Sequence, residues 1–327
     1  MFKSFTMHRD HTKLGDQCRP DVSLVITTYQ KPRHLRLVLA SVALQQGVDG
    51  RMELVVADDG STDETVQVVE RFAQSADFPV KLTTHRHAGF QVARCRNEAV
   101  TVSSAPYVVF VDGDCLLPPD FVQQHLRRRK FGAVMFGDTF RLDEHTSERI
   151  DETVVGLGAY LDWVSPVEHA RLKRSDRKAR WHDFFRHPTK PHLIACNVGI
   201  WRSDFERVNG FDENFEGWGQ EDDDLGYRLR QADVRLQSIM RWARTYHVWH
   251  PRDATWTANW LDGRNVHYMF RENRPTRCLN GLIKLGRPYE RMAYTVKLPD
   301  ESDEPRILPF PRTAVEHQKL PSRRMAA

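Results

Sequence analysis

The chain has 327 residues, with 48 lysines and arginines against 44 acidic residues. Its hydrophobic share of 40% and charged share of 28% are typical of a globular protein, and the small net charge of +4 gives little support for nucleic-acid binding. Five widely spaced cysteines without a CxxC pair argue against a zinc site or a disulfide framework and favour a cytoplasmic location. The N-terminus is too polar for a signal peptide and no apolar run reaches the ~18 residues of a membrane span, so any membrane association is expected to be peripheral.

Short apolar runs alternate with helical patterns from residue 21 onwards. The runs VSLVITT, ELVVA, VKLTT and YVVFV predict strands of the kind found in buried parallel sheets. Leu35, Val38, Leu39 and Val42 recur at helical spacing after the first run. The predicted helices begin at Pro32, after a capping box of Ser61 and Glu64, at residue 91 and at Pro118-Pro119.

This alternation predicts an α/β protein with a single Rossmann-like, mostly parallel sheet flanked by helices. Ligands of such sheets bind beyond the carboxyl ends of the strands. Thr27, Asp59 and Asp112 lie at those ends. A binding site is therefore expected around these three residues.

The pattern changes after residue 140. Residues 141–192 are charged and rich in Arg, Lys and His, and we expect irregular structure or short helices there, in an insertion that is either an acceptor-side lobe or a mobile loop. Regular patterns return with HLIACNVGIW, with helices near Ser203 and over 221–232, and with the strand candidates RLQSI and TYHVWH. The predicted organisation is a flexible lead (1–20), a catalytic domain (21–250, divided at 141 and 193), a C-terminal helical extension (251–300) and a disordered tail (301–327).

Acidic and basic residues at the strand ends are candidates for binding a metal and a diphosphate. The glycine in Asp112-Gly113-Asp114 permits a turn that brings both carboxylates to one Mn²⁺ or Mg²⁺ ion, although Asp-Gly is also common turn chemistry. Asp59 is either a helix cap or an acceptor for a nucleotide's ribose or base. Arg94 and Arg96 both suit a diphosphate. They point to different faces of the helix, so only one of them is expected to bind it.

The block GWGQEDDD is the most specific feature. Trp218 stands between two glycines and offers a flat platform for a sugar ring. Helix capping accounts for one or two of the four acids from Glu221 to Asp224, but not for all of them and not for the tryptophan. His247 or His250, in TYHVWH, is a candidate partner of Asp114 on a metal ion.

Together these motifs resemble the family-two glycosyltransferases of the GT-A fold. The similarity covers roughly residues 21–250 and rests on five segments in the expected order. The last segment resembles the C-terminal half shared by chondroitin-polymerase-type bacterial enzymes and β-galactosyltransferases. Residues 141–192, where acceptor choice is usually decided, match nothing assignable. The five segments are VSLVITTYQKPRHLRLVLASVALQ, VVADDGSTDET, ARCRNEAV, VVFVDGDCLLPPDF and CNVGIWRSDFERVNGFDENFEGWGQEDDDLGYRL.

The resemblance implies a role for each candidate residue. The donor nucleotide would be bound by one group, the metal by a second, and the sugar and acceptor by a third, with one carboxylate as catalytic base. His250, which precedes an Arg-Asp pair, matches the metal position better than His247. These groups are Thr27, Tyr29, Asp59, Arg94, Arg96 and Asp112 for the donor, Asp114 and His250 for the metal, Trp218 and Glu221 for the sugar and acceptor, and Asp222 for the base.

The expected function is an inverting, metal-dependent transfer of a hexose or N-acetylhexosamine from a nucleotide diphosphate sugar, with UDP favoured, to a saccharide or glycoconjugate in cell-surface polysaccharide biosynthesis. A peptide or small-molecule acceptor is the alternative. A sugar-nucleotide transferase would need a glycine-rich basic loop after the first strand, where TTYQKPRH stands. A non-catalytic carbohydrate- or nucleotide-sugar-binding protein would not need the acids present here.

Overall fold

The computed structural model describes residues 4–7, 19–251, 263–284 and 295–296. The strands are β1 Ser4–Met7, β2 Val22–Thr28, β3 Met52–Asp58, β4 Val80–Thr84, β5 Tyr107–Asp112, β6 Cys115–Leu116, β7 Ala133–Phe136, β8 Thr139–Arg141, β9 Asn197–Trp201, β10 Arg235–Ser238, β11 Thr245–His247 and β12 Thr295–Val296. The α-helices are α1 Pro32–Ala43, α2 Thr65–Ser75, α3 Val92–Val102, α4 Phe121–Arg128, α5 Glu144–Glu148, α6 Glu152–Gly156, α7 Pro166–Phe184, α8 Arg202–Arg207, α9 Glu221–Gln231 and α10 Arg264–Met269, with a 3₁₀ helix over Ala159–Asp162. None of these described helices is both long enough and apolar enough to span a bilayer.

The main sheet confirms the predicted α/β class. Its strand order is β10-β7-β9-β5-β2-β3-β4-β1-β12. The central strands β5, β2, β3 and β4 are parallel to one another, whereas β9 runs antiparallel between β5 and β7. In this register Thr27 pairs with Asp112, and Thr28 with Asp58. The polar ends of three strands therefore meet at one edge, as the sequence predicted.

The core explains why these segments form strands and helices. Strand β3 is buried along its whole length, and β2 and β5 nearly so, which accounts for their continuous apolar runs. Helix α1 begins with Pro32 at its first turn and buries Leu35, Val38, Leu39 and Val42, as predicted.

A second, three-stranded sheet, in the order β6-β11-β8, extends the binding edge. His247 of β11 lies opposite Cys115 of β6, and the Val248 amide donates to the Asp114 carbonyl at 2.9 Å. This pairing carries the histidines of the TYHVWH segment to the acidic end of β5, from a point more than 100 residues further along the chain.

The C-terminal segment 263–284 folds back onto the loop before α9. Asn209 Nδ2 donates to the carbonyls of Cys278 and Ile283, both at 2.8 Å. Asn265 Nδ2 donates to the Gly219 carbonyl at 2.9 Å. Helix α10 has six residues, so the described part of the predicted C-terminal extension is helical only in part.

Two sequence expectations differ from the structure. Helix α2 begins at Thr65 and its amide is held by Asp63 Oδ1 at 3.0 Å, while Ser61 Oγ accepts from the Gln30 amide, so the predicted capping box is wrong. Ser61 is drawn to the loop after β2 and does not reach the helix. Helix α4 begins at Phe121, after the two prolines and not at them.

Residues 141–192 are also more regular than expected. They hold the short helices that were predicted, but also the 19-residue helix α7. The predicted disordered tail, 301–327, lies outside the described residues, as do residues 1–3 and 8–18 of the N-terminal lead. Residues 4–7 of that lead, which was predicted to be flexible, form strand β1, which pairs with β4.

Candidate active site

One arginine joins the end of β5 to the start of α9. Arg96 is 4% exposed, and its two terminal nitrogens donate to Asp112 Oδ1 and Glu221 Oε1, both at 3.0 Å. Thr27 Oγ1 donates to the same oxygen of Asp112 at 3.2 Å. Four predicted site residues are therefore connected through one buried guanidinium, across 125 residues of chain.

Asp114 faces two histidines and a lysine. His250 Nε2 lies 3.0 Å from Asp114 Oδ2, and His247 Nε2 lies 3.7 Å from Oδ1. The possible ligand atoms of these three residues all lie within 4.8 Å of one another. Lys31 Nζ lies 3.0 Å from Asp114 Oδ2. A bound metal ion would compete with this ammonium group for the same carboxylate oxygen. The sequence predicts only one of the two histidines as a ligand and does not predict Lys31 as a site residue.

This cluster fits a divalent cation. One carboxylate and two imidazoles form a mixed oxygen and nitrogen donor set, which suits Mn²⁺ better than Mg²⁺, because Mg²⁺ prefers oxygen ligands. Burial alone would raise the pKa of Asp114, but the hydrogen bond from His250 and the charges of His247 and Lys31 lower it well below its usual range. Burial lowers the pKa of His247, which favours the neutral imidazole that ligates metals. The hydrogen bond to Asp114 raises the pKa of His250.

The four acids at the start of α9 have separate surroundings. Glu221 is held by Arg96, Asp223 Oδ1 lies 2.8 Å from His192 Nδ1, and Asp224 is fully buried against Arg228 at 2.6 Å. Asp222 is half-buried, and its Oδ2 accepts from the Ala195 amide at 3.3 Å. Burial, followed by the neighbouring charge of Glu221, raises the pKa of Asp222 well above its usual value. The carboxylate of Asp222 is therefore a stronger base than that of an ordinary aspartate.

Asp59 belongs to a buried chain of ionisable groups. Its Oδ1 lies 2.8 Å from His85 Nε2, His85 Nδ1 lies 2.8 Å from Glu98 Oε2, and Arg94 Nε donates to Glu98 Oε1 at 2.8 Å. Both nitrogens of His85 thus face carboxylates. Cys95 also lies near Asp59 and His85, but a metal there would have to displace these hydrogen bonds. Arg94 and Asp59 belong to the same chain, and His85 is a link that the sequence did not reveal.

Tyr29 is connected to Asp59 through a second histidine. The rings of Tyr29 and His87 are stacked, with centroids 4.1 Å apart and planes 9° from parallel. His87 Nδ1 lies 2.8 Å from the Asp59 carbonyl. The loops after β2, β3 and β4 therefore present aromatic and acidic groups side by side.

Trp218 lines a cleft of about 680 Å³ next to this edge. Its side chain is 44% exposed. The walls of the cleft are residues 88–91, 216–220 and 263–266. Asp112, Asp114 and Asp222 are not among the lining residues, so the cleft lies beside the carboxylate cluster and not over it.

The fold is that of the GT-A glycosyltransferases. Over 72% of this chain and 59% of the other, the structure resembles a mannosyltransferase from Pyrobaculum calidifontis solved with GDP-Man and Mn²⁺, with a TM-score of 0.52 and 18% identity. Residues 23–208 match the family Glycosyl transferase family 2, and residues 180–251 match the N-terminal domain of galactosyltransferase. The chain belongs to glycosyl transferase family 2.

Curated relatives agree with this assignment. The chain is 30% identical over 257 residues to validoxylamine A glucosyltransferase of Streptomyces hygroscopicus subsp. limoneus, covering 73% of this chain and 54% of the relative. It is 26% identical over 231 residues to chondroitin synthase of Pasteurella multocida, covering 64% of this chain and 23% of the relative. The chain thus spans about half the length of the first relative and less of the second.

Proposed function

We propose that this chain is an inverting glycosyltransferase that moves a hexose or N-acetylhexosamine from a UDP-linked donor to an acceptor hydroxyl, with Mn²⁺ as the cofactor. One observation carries the proposal. Asp114, His247 and His250 form a cluster whose ligand atoms are close enough to hold one cation, and Asp222, whose carboxyl has a raised pKa, lies next to the other end of the Asp112–Arg96–Glu221 connection.

The donor would lie along the carboxyl edge of the sheet. Tyr29 and Asp59 are proposed to contact the uracil or ribose, with Thr27 beside them. Asp112 would lie near the ribose, held in place by Thr27 and Arg96. His85 keeps the Asp59 carboxylate oriented.

The diphosphate needs cationic partners. Arg94 and Arg96 remain the residues predicted for this role, although Arg96 is already engaged by two carboxylates. Lys31 is a further candidate, because its ammonium lies at the edge of the cation-binding cluster. A bound divalent ion would neutralise charge that develops on the leaving diphosphate.

The chain's own residues would manage the acceptor proton. Asp222 is proposed to take the proton from the acceptor hydroxyl as that oxygen attacks the anomeric carbon from the face opposite the diphosphate. The raised pKa of its carboxyl makes it a stronger base once it is deprotonated. Trp218 and Glu221 would hold the donor sugar and the acceptor.

The test is donor hydrolysis and transfer with a panel of nucleotide sugars in the presence of Mn²⁺. We expect UDP-linked sugars to be hydrolysed slowly without an acceptor, and Asp222→Asn to lower transfer by ~10²–10⁴-fold while leaving donor affinity nearly unchanged. No metal-dependent turnover of any nucleotide sugar would leave a binding protein as the better interpretation. Normal transfer by Asp222→Asn would remove Asp222 as the base.

Two acceptor classes are supported. A saccharide or glycoconjugate acceptor in cell-surface polysaccharide biosynthesis agrees with the similarity to chondroitin synthase. A small-molecule acceptor is favoured by the similarity to validoxylamine A glucosyltransferase. Transfer to free disaccharides, compared with transfer to validoxylamine A, separates the two. The cytoplasmic location inferred from the sequence stays a prediction.

A further inference from the structure

The outer face of helix α7 carries cations followed by aromatic rings. At about 100° per residue, five side chains project within about 60° of one direction. The opposite face packs on the protein through Leu172, Asp176 and Ala179. The outward set, here termed the aromatic–basic face, consists of Arg174, Arg177, Lys178, Trp181 and Phe184, together with Phe185, the residue that directly follows the helix.

The aromatic end of this face is unusually exposed. Trp181, Phe184 and Phe185 have 62%, 76% and 58% of their surface accessible. The Phe185 ring centroid lies 4.4 Å from that of Trp181 and 5.0 Å from that of Phe184. The three rings therefore form one exposed apolar cluster. Single exposed apolar residues are common on protein surfaces, whereas a contiguous cluster is typical of an interaction site.

The surroundings of the cluster are basic. Residues 169–192 include just two acids, and both are turned inward: Asp176 Oδ2 accepts from Arg241 Nε at 2.9 Å, and Asp183 Oδ1 accepts from Arg235 Nε at 2.9 Å. The outward charges of this segment are all positive. The exposed cations are Lys173, Arg174, Arg177, Lys178, Arg180, Arg186 and Lys190.

We propose that the aromatic–basic face docks on an anionic lipid surface, with the three rings entering the headgroup region and the cations lying above it. Tryptophan and phenylalanine partition into that interfacial region, and basic residues are attracted by anionic lipids. The inference does not depend on the proposed enzymatic function.

Two other occupants fit the face less well. In a symmetric dimer the same surface would meet itself, bringing Arg174, Arg177 and Lys178 against their own copies. Single-stranded nucleic acid binds by stacking bases between separated aromatic rings, whereas these rings are packed against one another.

The face is connected to the candidate active site by a short stretch of chain. The segment after α7 contacts α9, because Arg230 donates to the Pro191 carbonyl and the Ala195 amide donates to Asp222. Residues 186–195 therefore join the aromatic–basic face to the helix that carries Asp222.

The test is co-sedimentation of the full chain with vesicles at about 0.1 M salt. Vesicles with equal amounts of phosphatidylglycerol and phosphatidylcholine should bind the protein, and pure phosphatidylcholine vesicles should not. Replacing Arg174, Arg177 and Lys178 by Gln should weaken binding by ~100-fold, since each cation accounts for about fivefold. Replacing Trp181, Phe184 and Phe185 by Ser should weaken it by at least ~10-fold.

Matched controls remove the same charge and the same type of side chain elsewhere. The charge control is a triple variant in which Arg127, Lys130 and Arg207 are replaced by Gln. The aromatic control is Phe270→Ser, since the Phe270 side chain is 72% exposed. Thermal melting of each variant confirms that it is folded, and Trp181→Ser alone replaces the triple variant should that one unfold. The proposal is overturned by absent binding to the anionic vesicles, or by equal losses in the controls. Two other results, obtained in place of vesicle binding, also overturn the proposal. One is a dimer that dissociates when the three aromatic residues are replaced, and the other is oligonucleotide binding that is lost in the same variant.

Discussion

Replacing Arg96 by methionine should change the pH dependence of transfer. The guanidinium lies 3.0 Å from Glu221, the residue next to the proposed base, and its charge lowers the pKa of Asp222 against the raising effects of burial and of Glu221. A nearby charge moves a pKa by about 1–3 units. Without Arg96, the pKa of Asp222 rises further, so the acidic limb of the kcat profile moves to higher pH. At a pH on that limb, kcat falls by ~10-fold or more.

A matched variant of the same connection should move the limb in the opposite direction. Glu221→Gln removes the negative charge that raises the pKa of Asp222, so the acidic limb should move to lower pH. Arg96→Lys keeps the charge but cannot reach both carboxylates, so it should lower kcat while leaving the limb near its original position. The assay is kcat against pH at saturating Mn²⁺, donor and acceptor.

The folding of these variants needs its own measurement. Breaking a buried ion pair costs about 3–5 kcal/mol, so Arg96→Met must be assayed well below its melting temperature. If Arg96→Met and Glu221→Gln, both folded, shift the limb in the same direction or not at all, Asp222 does not set the limb and its role as base is wrong.

Three further predictions concern the cation cluster, the buried histidine and the core of α9. Asp114→Asn should weaken Mn²⁺ binding by ~10-fold or more, whereas Lys31→Met should strengthen it by removing a competing charge, as measured by Mn²⁺ paramagnetic resonance without donor. Burial alone would lower the pKa of His85, but hydrogen bonds to Asp59 and Glu98 raise it to about 9. The stabilisation of the folded protein by these hydrogen bonds is therefore complete below pH ~6.5 and lost as the pH rises through ~9. The loss in free energy of unfolding caused by His85→Gln should shrink by about 3 kcal/mol over that range. A pH-independent difference in denaturant unfolding between the two proteins would contradict this. Arg228→Met should lower the free energy of unfolding by about 3–5 kcal/mol, because it removes the cation 2.6 Å from the fully buried Asp224 and leaves Arg271, at 3.8 Å, as its remaining ion-pair partner among the described residues; a loss below 1 kcal/mol would contradict this.

The sequence predicted the sheet well because burial on both faces leaves a strong pattern. Strands β2 and β4 have the predicted bounds, and α1 buries the four predicted positions. Helix α7 left no comparable pattern. Its buried face holds only Leu172, Asp176 and Ala179, one of them an acid, so apolar spacing could not reveal a 19-residue helix.

The candidate site divides in the same way. Residues at the ends of strands, such as Thr27 and Asp112, could be predicted because parallel strands share an edge. The bridge from Arg96 to Glu221 could not, since a contact across 125 residues depends on how the two halves of the domain pack. Lys31 left a readable signal, because it lies two residues after Tyr29 in the loop that follows β2.

The acidic block shows how a run that appears unstable in the sequence becomes tolerable in the fold. Four adjacent carboxylates would repel one another on an isolated helix, even with the helix dipole in their favour. Here Glu221 meets Arg96, Asp223 meets His192 and Asp224 meets Arg228, each from a different part of the chain. Asp222 has amide hydrogen bonds but no ion-pair partner among the described residues, and burial, followed by the charge of Glu221 beside it, raises its pKa. Three of the four acids are therefore neutralised by nearby cations, while Asp222 is left with a raised pKa, as the proposed base requires. The pH profiles of Arg96→Met and Glu221→Gln would measure this difference between Asp222 and its neighbours.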